Sequence, residues 1–241
     1  MQQRSIVRLG VPLAVAALAL SACGSRDAGT SSTAAGTKTV KIGVIAPLSG
    51  GLSALGLGIK NSVALAVKQA NDSNAIAGWK FEVAAEDDEA KPETGKNAAT
   101  KLSSDDAVLG VVGTLNSSVA QSTVPVLAAA NIAQVSPANT NPSLTQGADA
   151  AAKKRPYANY FRTCTTDAVQ GPFAAQYLLS VGIKSVATIH DKKTYGQGLV
   201  DAFTAEFTKG GGTVVAAETI GEQDKDFSAV ISKIKPSAPA A

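Results

Sequence analysis

One stretch, residues 107–140, most constrains the fold of this chain, because strand-like and helix-like patterns follow one another in it without a break. It opens with a near-continuous apolar run, which is typical of a parallel strand buried on both faces. The pattern predicts a strand, a turn, a helix, a second strand and a polar turn, at residues 107–112, 113–116, 119–130, 132–135 and 136–140. This order is typical of a parallel α/β sheet.

Both loops of this stretch follow the carboxyl end of a strand, which is where ligands bind in open α/β sheets. Ser117 and Ser118 stand where the helix N-cap is expected. A helix N-terminus with free N–H groups and two hydroxyls attracts an anion such as a carboxylate. A purely structural interpretation stays open at this point, because serines often only cap a helix and the SPANT sequence at 136–140 is also an ordinary turn.

The remainder of the chain alternates strands and helices in two series. Before the stretch described above, the pattern predicts strands at 39–46 and 80–85, a glycine-rich loop at 47–58, and helices at 59–70 and 92–103. After a polar connection at 141–160 it predicts a helix, a strand, a helix and a strand at 167–181, 185–190, 196–209 and 213–220, and a last helix near Asp226.

We therefore expect an α/β fold of two doubly wound lobes with right-handed crossovers. Residues 39–163 would form the first lobe and residues 164–241 the second. The hinge between the lobes is expected near residues 162–167.

The N-terminus has the pattern of an export signal. Arg4 and Arg8 precede an apolar run at 9–19 that is too short for a stable membrane span. The run ends in Leu-Ser-Ala-Cys, which resembles a bacterial lipobox, so residues 1–22 are expected to be removed and Cys23 to be lipidated. Residues 23–38 would be a flexible tether, although an ordinary signal peptide with an incidental cysteine is the alternative. With Cys23 lipidated, Cys164 has no disulfide partner.

The chemistry encoded in the chain favours a binding protein over an enzyme. The formal charge is +3 with one histidine, His190, and no basic stripe with aromatics suggests nucleic acid. The acidic run 86–89 lacks the spacing of a calcium loop and is interpreted as a solvated turn. The glycine-rich loop has neither GxGxxG nor the GK[ST] of a P-loop. We therefore expect no cofactor and no metal.

Seven blocks in order resemble the leucine/isoleucine/valine-binding proteins, the solute receptors of ABC importers. The blocks are KIGVIAPLSGGLSALG (41–56), EDDEAKPETG (86–95), VVGTLNSSVAQSTVP (111–125), VSPANTNPSLT (135–145), YFRTCTTDAVQGP (160–172), HDKKTYGQGL (190–199) and KDFSAVISKIK (225–235). This resemblance implies a periplasmic-binding-protein-like fold of two Rossmann-like lobes, with an amino acid held between them and delivered to an ABC permease. It further implies a monomer, and the lipobox-like sequence places the protein on the outer face of the cell membrane.

The resemblance also implies a set of ligand-binding positions. The hydroxyl and amides at Ser117, together with the turn from Ala138 to Thr140, would hold the α-carboxylate and part of the α-amine. Leu115 and Asn116 would line the cleft.

Two further positions come from the second lobe and its border. Tyr195 would approach the ligand from the second lobe, and Asp167 would sit at the first hinge crossing. Leu55 replaces an aromatic residue that the family often has, which leaves the side-chain preference open. An amide, a urea or a short-chain acid is the alternative ligand, and a sensory domain is the alternative role.

The chain stops in PSAPAA, after a helix whose family counterpart leads into another strand. The second lobe is therefore expected to be incomplete, without the acidic residue that the resemblance implies for the ligand amine. We expect the last strand of this lobe, at 213–220, to expose an unpaired edge.

Overall fold

The computed structural model describes residues 37–149 and 151–241. The expected signal peptide, Cys23 and nearly all of the expected tether lie outside the described residues.

Seven parallel strands and seven α-helices alternate in this part of the chain. The strands are β1 (Lys38–Ala46), β2 (Trp79–Asp87), β3 (Val108–Gly113), β4 (Ala133–Ser136), β5 (Tyr160–Arg162), β6 (Ser185–His190) and β7 (Thr213–Thr219). The helices are α1 (Ser53–Asp72), α2 (Pro92–Ser103), α3 (Ser117–Ala129), α4 (Ser143–Gln146), α5 (Asp167–Ser180), α6 (Thr194–Lys209) and α7 (Ser228–Ile234).

The strands form two sheets, one in each lobe. The first sheet has the order β2-β1-β3-β4-β5, and the second pairs β6 with β7. All of these pairs are parallel, so the carboxyl ends of β1, β3 and β4 come to one edge of the first sheet. The predicted α/β fold with parallel sheets is confirmed.

The core of the first lobe lies between this sheet and helices α1, α2 and α3. Its buried members are small or branched aliphatic side chains contributed by strands and helices alike: Val44, Ile45, Val63, Ala99, Leu102, Val111, Val124 and Leu127. The core of the second lobe is smaller and consists of Ala175, Val186 and Phe207, with partly buried neighbours.

The predicted loop at 47–58 is wrong, because half of it is helical. A 3₁₀ turn at Gly50–Leu52 leads into α1 at Ser53, six residues before the predicted start. Glycine disfavours a helix on propensity alone, but Gly56 is needed for close packing. A Cβ at Gly56 would lie 1.9 Å from the carbonyl oxygen of Pro47.

The predicted start of the third helix is also wrong by two residues. Asn116 is the N-cap of α3, and its side chain makes no capping hydrogen bond to the described residues. Ser117 and Ser118 therefore belong to the first helical turn.

The predicted connection at 141–160 contains more structure than expected. It includes the short helix α4, and Tyr160 begins β5, which pairs with β4 and gives the first sheet a fifth strand. β5 escaped prediction because it has only three residues, too few to show a period.

Helix α1 with its preceding 3₁₀ turn is long and apolar enough to cross a membrane by length and composition alone. Its last turn is fixed to the first sheet, since the Asn71 side chain donates to the Phe81 carbonyl and accepts from the Phe81 N–H at 2.8 and 2.9 Å. The helix thus serves as one covering layer of an α/β lobe.

Candidate functional site

The loops that follow β3 and β4 are joined by buried polar side chains. The Asn139 amide donates to the Leu115 carbonyl at 3.0 Å and accepts from the Tyr160 hydroxyl at 3.0 Å. The Ser136 hydroxyl donates to the Thr114 carbonyl at 2.9 Å. Because Thr114, Ser136 and Asn139 are fully buried, these bonds exchange little with water and hold the two loops in one arrangement.

Arg162 fixes the second loop from its other side. Its guanidinium donates to the carbonyls of Asn139 and Asn141 at 2.6 and 3.0 Å and to the Thr145 hydroxyl at 2.9 Å. A planar guanidinium offers several donors in a fixed geometry, and here it spans the SPANT turn and α4. The turn is therefore held in place by the protein itself before any ligand binds.

A cavity of about 330 Å³ lies where these loops face the second lobe. It is lined by Leu52, Leu55, Leu115, Asn116, Ala138, Thr140, Asp191 and Tyr195. Six of these residues are positions that the sequence proposed for the ligand. The cavity is within the size range of small-molecule sites and has the usual character of an apolar wall with a few polar groups.

Ser117 and Ser118 lie next to this cavity but do not belong to its described lining. The Ser117 side chain is buried, and its hydroxyl accepts the N–H of Asn141 at 3.4 Å. That bond joins the start of α3 to the end of the SPANT turn. The side chain of Ser117 thus positions the loop, while the backbone amides of the first turn of α3 are the groups that an anion would meet.

Asp167 is the first residue of α5 and is fully buried. Its backbone N–H donates to the Thr140 carbonyl at 3.0 Å, which places it directly behind the cavity. Neither carboxylate oxygen of Asp167, nor the Thr140 hydroxyl, has a hydrogen-bond partner among the described residues by geometry. Burial raises the pKa of Asp167, while the nearby Thr140 hydroxyl and Arg162 charge act in the opposite direction.

A glycine on the second lobe makes room for this carboxylate. A Cβ at Gly198 of α6 would lie 3.0 Å from Oδ2 of Asp167 and 2.9 Å from the Asn141 amide nitrogen. Buried polar groups are normally paired. By hydrogen-bond geometry, the Asp167 carboxylate and the Thr140 hydroxyl are left unsatisfied by the described residues, and of the two residues Thr140 also lines the cavity.

Sequence reasoning missed two lining residues, Leu52 and Asp191. Both residues stand inside blocks that carry the family resemblance, Leu52 in KIGVIAPLSGGLSALG and Asp191 in HDKKTYGQGL, so that signal could have identified them. One oxygen of Asp191 accepts the Lys193 N–H at 3.1 Å. Both residues, together with Asn116, also line a more polar neighbouring cavity of about 510 Å³.

The acidic run at 86–89 is only partly the solvated turn that the sequence predicted. One oxygen of Asp87 accepts the N–H groups of Leu48 and Glu89, each at 2.8 Å. Asp88 is fully buried, and burial raises its pKa to about 6. Within residues 37–149 and 151–241, no cluster of three or more His, Cys, Asp or Glu side chains could hold a metal ion.

Comparison of the sequence with known proteins identifies a family and several relatives. The sequence model of the periplasmic binding protein family matches residues 39–241. A Leu/Ile/Val-binding protein homolog of Brucella melitensis is 39% identical over 197 residues, which are 81% of this chain and 51% of that protein. The chain therefore spans about half the length of the curated relatives it matches.

Solved structures agree with the sequence comparison. The leucine-binding protein LivK of Thermotoga maritima is similar with a TM-score of 0.74 and 29% identity, covering 83% of this chain and 54% of that one. A solute-binding protein of an ABC transporter from R. palustris, in complex with benzoate, gives a TM-score of 0.73 and 26% identity over 83% of this chain and 53% of that one. With its sheet order, the cavity between its lobes and a family match over residues 39–241, this chain belongs to the periplasmic binding protein family.

Proposed function

We propose that this chain is the ligand-binding part of an extracytoplasmic solute-binding protein of an ABC importer, and that its ligand is an α-amino acid, branched-chain ones first. The observation that carries the proposal is the pairing of two features at one cavity. Thr140 lines the cavity with Asp167 directly behind it, and by geometry neither the hydroxyl nor the carboxylate has a hydrogen-bond partner among the described residues. Three leucines line the same cavity.

The polar end of the ligand is held by groups of opposite character. The amides at the start of α3 and in the SPANT turn receive the α-carboxylate, since a helix N-terminus favours negative charge. The Asp167 carboxylate and the Thr140 hydroxyl accept from the α-ammonium. A buried charge is costly when unpaired, so an ammonium group that neutralises Asp167 gains affinity that a neutral group lacks.

The apolar wall selects the side chain of the ligand. Leu52, Leu55 and Leu115 present aliphatic groups to the cavity. Each buried methylene contributes about 0.8 kcal/mol, so leucine, isoleucine and valine are expected to bind more tightly than alanine or serine.

An aromatic acid is the second candidate, because a structural neighbour of this chain was solved with benzoate. Benzoate has a carboxylate but no ammonium group. In this chain it would leave Asp167 as a buried, uncompensated charge near the ligand. The unpaired Asp167 therefore favours an amino acid over an aromatic acid.

The test is to titrate the protein with leucine and with 4-methylpentanoate, which is leucine without its amine. Binding is followed by NMR, which also detects weak binding. Thr140→Ala and Asp167→Asn should each weaken leucine binding about ten- to hundredfold, since a hydrogen bond to a charged group contributes about 1.5–3 kcal/mol. Asp167→Asn should leave 4-methylpentanoate binding unchanged or improve it. Equal losses for both ligands would contradict the assigned role of Asp167.

The affinity for leucine is expected to change with pH in one direction. The pKa of Asp167 is raised by burial, so the carboxylate becomes neutral at a higher pH than an exposed aspartate does. Leucine affinity should fall as the pH is lowered through this raised pKa, and Asp167→Asn should remove the dependence.

We also propose that Cys23 carries a lipid anchor. This rests on the lipobox-like sequence that ends at Cys23. Each buried CH₂ of an acyl chain contributes about 0.8 kcal/mol, so two or three chains anchor a protein stably. Cys23→Ser should release the protein from the membrane fraction or leave the precursor unprocessed, and a wild-type protein that is cleaved elsewhere and soluble would refute the anchor.

A further inference from the structure

We propose that Gly198 and Asn141 are positioning residues for the ligand, because their close contact sets how near α6 comes to the first lobe and therefore where Tyr195 stands at the cavity. Neither Gly198 nor Asn141 lines the cavity itself, so both would act through Tyr195. This inference rests on the proposed function, since it concerns the same cavity.

The first observation is that the beginning of α6 is hydrogen-bonded to the first lobe. The Thr194 hydroxyl donates to the side-chain oxygen of Gln121 on α3 at 3.1 Å. The Asn141 side-chain amide donates to the backbone carbonyl of Thr194 at 3.4 Å. Because Thr194 is the first residue of α6, these two bonds join the start of this helix to α3 and to the residue that follows the SPANT turn. We call them the α6 contact.

The second observation is that Asn141 is held in place by the first lobe. Its side-chain oxygen accepts from the N–H and the hydroxyl of Ser143 at 3.0 and 2.6 Å. Its backbone carbonyl accepts from Arg162 at 3.0 Å, and its N–H donates to the Ser117 hydroxyl at 3.4 Å. The end of a side chain often yields to a close neighbour, but this network of bonds keeps the Asn141 amide where it is.

The third observation is the lack of a side chain at the closest approach. Gly198 lies four residues after Thr194 and therefore on the same face of α6. A Cβ at Gly198 would lie 2.9 Å from the Asn141 amide nitrogen and 3.0 Å from Oδ2 of Asp167. Favourable contacts between carbon atoms are about 3.5–4.0 Å long, so a side chain at this position would push α6 away from the first lobe.

Tyr195 is the residue that this approach positions. It follows Thr194 directly and lines the cavity from the second lobe, with 42% of the residue accessible. Later in α6, Phe203 and Phe207 pack into the core of the second lobe. A displacement at Gly198 would therefore move this lobe together with its helix, and Tyr195 would be withdrawn from the ligand.

The experiment replaces Gly198 by alanine and by valine and measures leucine binding by NMR titration. The affinity should fall about tenfold in Gly198→Ala and further in Gly198→Val, because each added group widens the gap between the lobes. The melting temperature should not fall, since alanine and valine are both better helix formers than glycine.

Gly58→Ala is the matched control for helix propensity. Gly58 lies within α1, and a Cβ there would meet no atom of the described residues within 4 Å. Alanine at this position should raise the melting temperature as alanine does in any helix interior. It should leave leucine binding unchanged, because Gly58 contacts neither lobe border nor cavity.

A double-mutant cycle tests whether Gly198 acts through Tyr195. In the wild type, Tyr195→Ala should weaken leucine binding about tenfold. In the Gly198→Val background it should have little further effect, because the displaced side chain no longer meets the ligand. Thr140→Ala, on the first lobe, should weaken binding by the same factor in both backgrounds.

One measurement does not depend on the ligand. In the unliganded wild type, a nuclear Overhauser effect between the Thr194 methyl group and the Gln121 side chain should report the α6 contact. The signal should disappear in Gly198→Val and persist in Gly58→Ala. If it does so while leucine fails to bind to the wild type, the proposed ligand is wrong and the control of the α6 contact by Gly198 is supported.

Three results would overturn the inference. The first is a Thr194–Gln121 signal that persists in Gly198→Val. The second is a leucine affinity that stays unchanged in this variant or that falls together with the melting temperature, which would make Gly198 a residue of the fold only. The third is a full effect of Tyr195→Ala in the Gly198→Val background, which would show that the glycine acts through Asp167 instead.

Discussion

Both lobes consist of parallel strands alternating with helices, but the first lobe buries more apolar side chains than the second. In the first lobe, β1 is flanked by strands on both sides, and three clusters of buried side chains cover the sheet. In the described part of the second lobe, β6 pairs with β7, and one cluster of buried side chains packs against this sheet. Since apolar burial is the main favourable term in folding, the first lobe should be much the more stable.

This difference also divides the candidate site. Asn116, Ala138 and Thr140 come from loops that buried hydrogen bonds hold fixed on the first lobe. Asp191 and Tyr195 come from the less well covered lobe. Local stability follows buried contacts, so one wall of the cavity is preorganised while the other depends on a weaker support.

Removing the largest buried side chain of the second lobe should separate the two lobes most clearly. Phe207 is fully buried, and Phe207→Ala should cost about 3–5 kcal/mol. Trp79, the only tryptophan, begins β2 in the first lobe, so its fluorescence reports on that lobe alone. Melting followed by circular dichroism should shift downward, while the Trp79 transition stays in place.

Leu127→Ala is the matched variant in the core of the first lobe, where Leu127 is also fully buried. It should lower the Trp79 transition. If Phe207→Ala moves the Trp79 transition equally, the lobes unfold as one unit and the comparison fails.

A buried acid gives the first lobe a pH dependence of its own. The folded-state pKa of Asp88 is about 6, raised chiefly by burial, and lies above the ordinary value near 4. Because the carboxyl group binds its proton more tightly in the folded state, protonation stabilises the fold. This contribution is complete below the pKa of the unfolded state and is lost as the pH rises through the folded-state value of about 6. A shift of this size corresponds to about 2–3 kcal/mol.

The wild-type Trp79 melting temperature should therefore fall between pH 5 and roughly 7, as the folded-state acid titrates. Asp88→Asn keeps an acceptor for the Ala90 N–H, which the aspartate binds at 2.8 Å, and should flatten the profile. An unchanged slope in this variant would assign the pH dependence to another group.

In each lobe, a glycine lies where two helices pack closely, and its replacement by alanine tests how rigid that contact is. A Cβ at Gly171 of α5 would lie 2.7 Å from the backbone nitrogen of Phe203, whereas one at Gly95 of α2 would lie 2.3 Å from a methyl group of Val119. A side chain can change its rotamer but a backbone must shift. Gly171→Ala should therefore cost about 1–3 kcal/mol, and Gly95→Ala about 1 kcal/mol less.

Chemical denaturation, read by circular dichroism for Gly171→Ala and by Trp79 fluorescence for Gly95→Ala, measures both costs. A larger loss at Gly95 would show that Val119 cannot repack and that the first lobe is the more rigid at this contact.

Much of the first lobe is predictable from the sequence, because parallel strands buried on both faces have near-continuous apolar runs that stand out along the chain. Residues 39–46 and 107–112 differ from the observed β1 and β3 by at most one residue at each end. The resemblance to a family further gave six of the eight residues that line the cavity.

What the sequence left undetermined depends on contacts between distant residues. The start of α1 is set by the approach of Gly56 to Pro47, and β5 exists because β4 pairs with it. The burial of Asp88 and the position of Asp167 against Gly198 likewise follow from packing that no local pattern records. Propensity and periodicity act over a few residues, whereas desolvation of a carboxylate requires the chain to bring remote segments together, and only the tertiary structure does that.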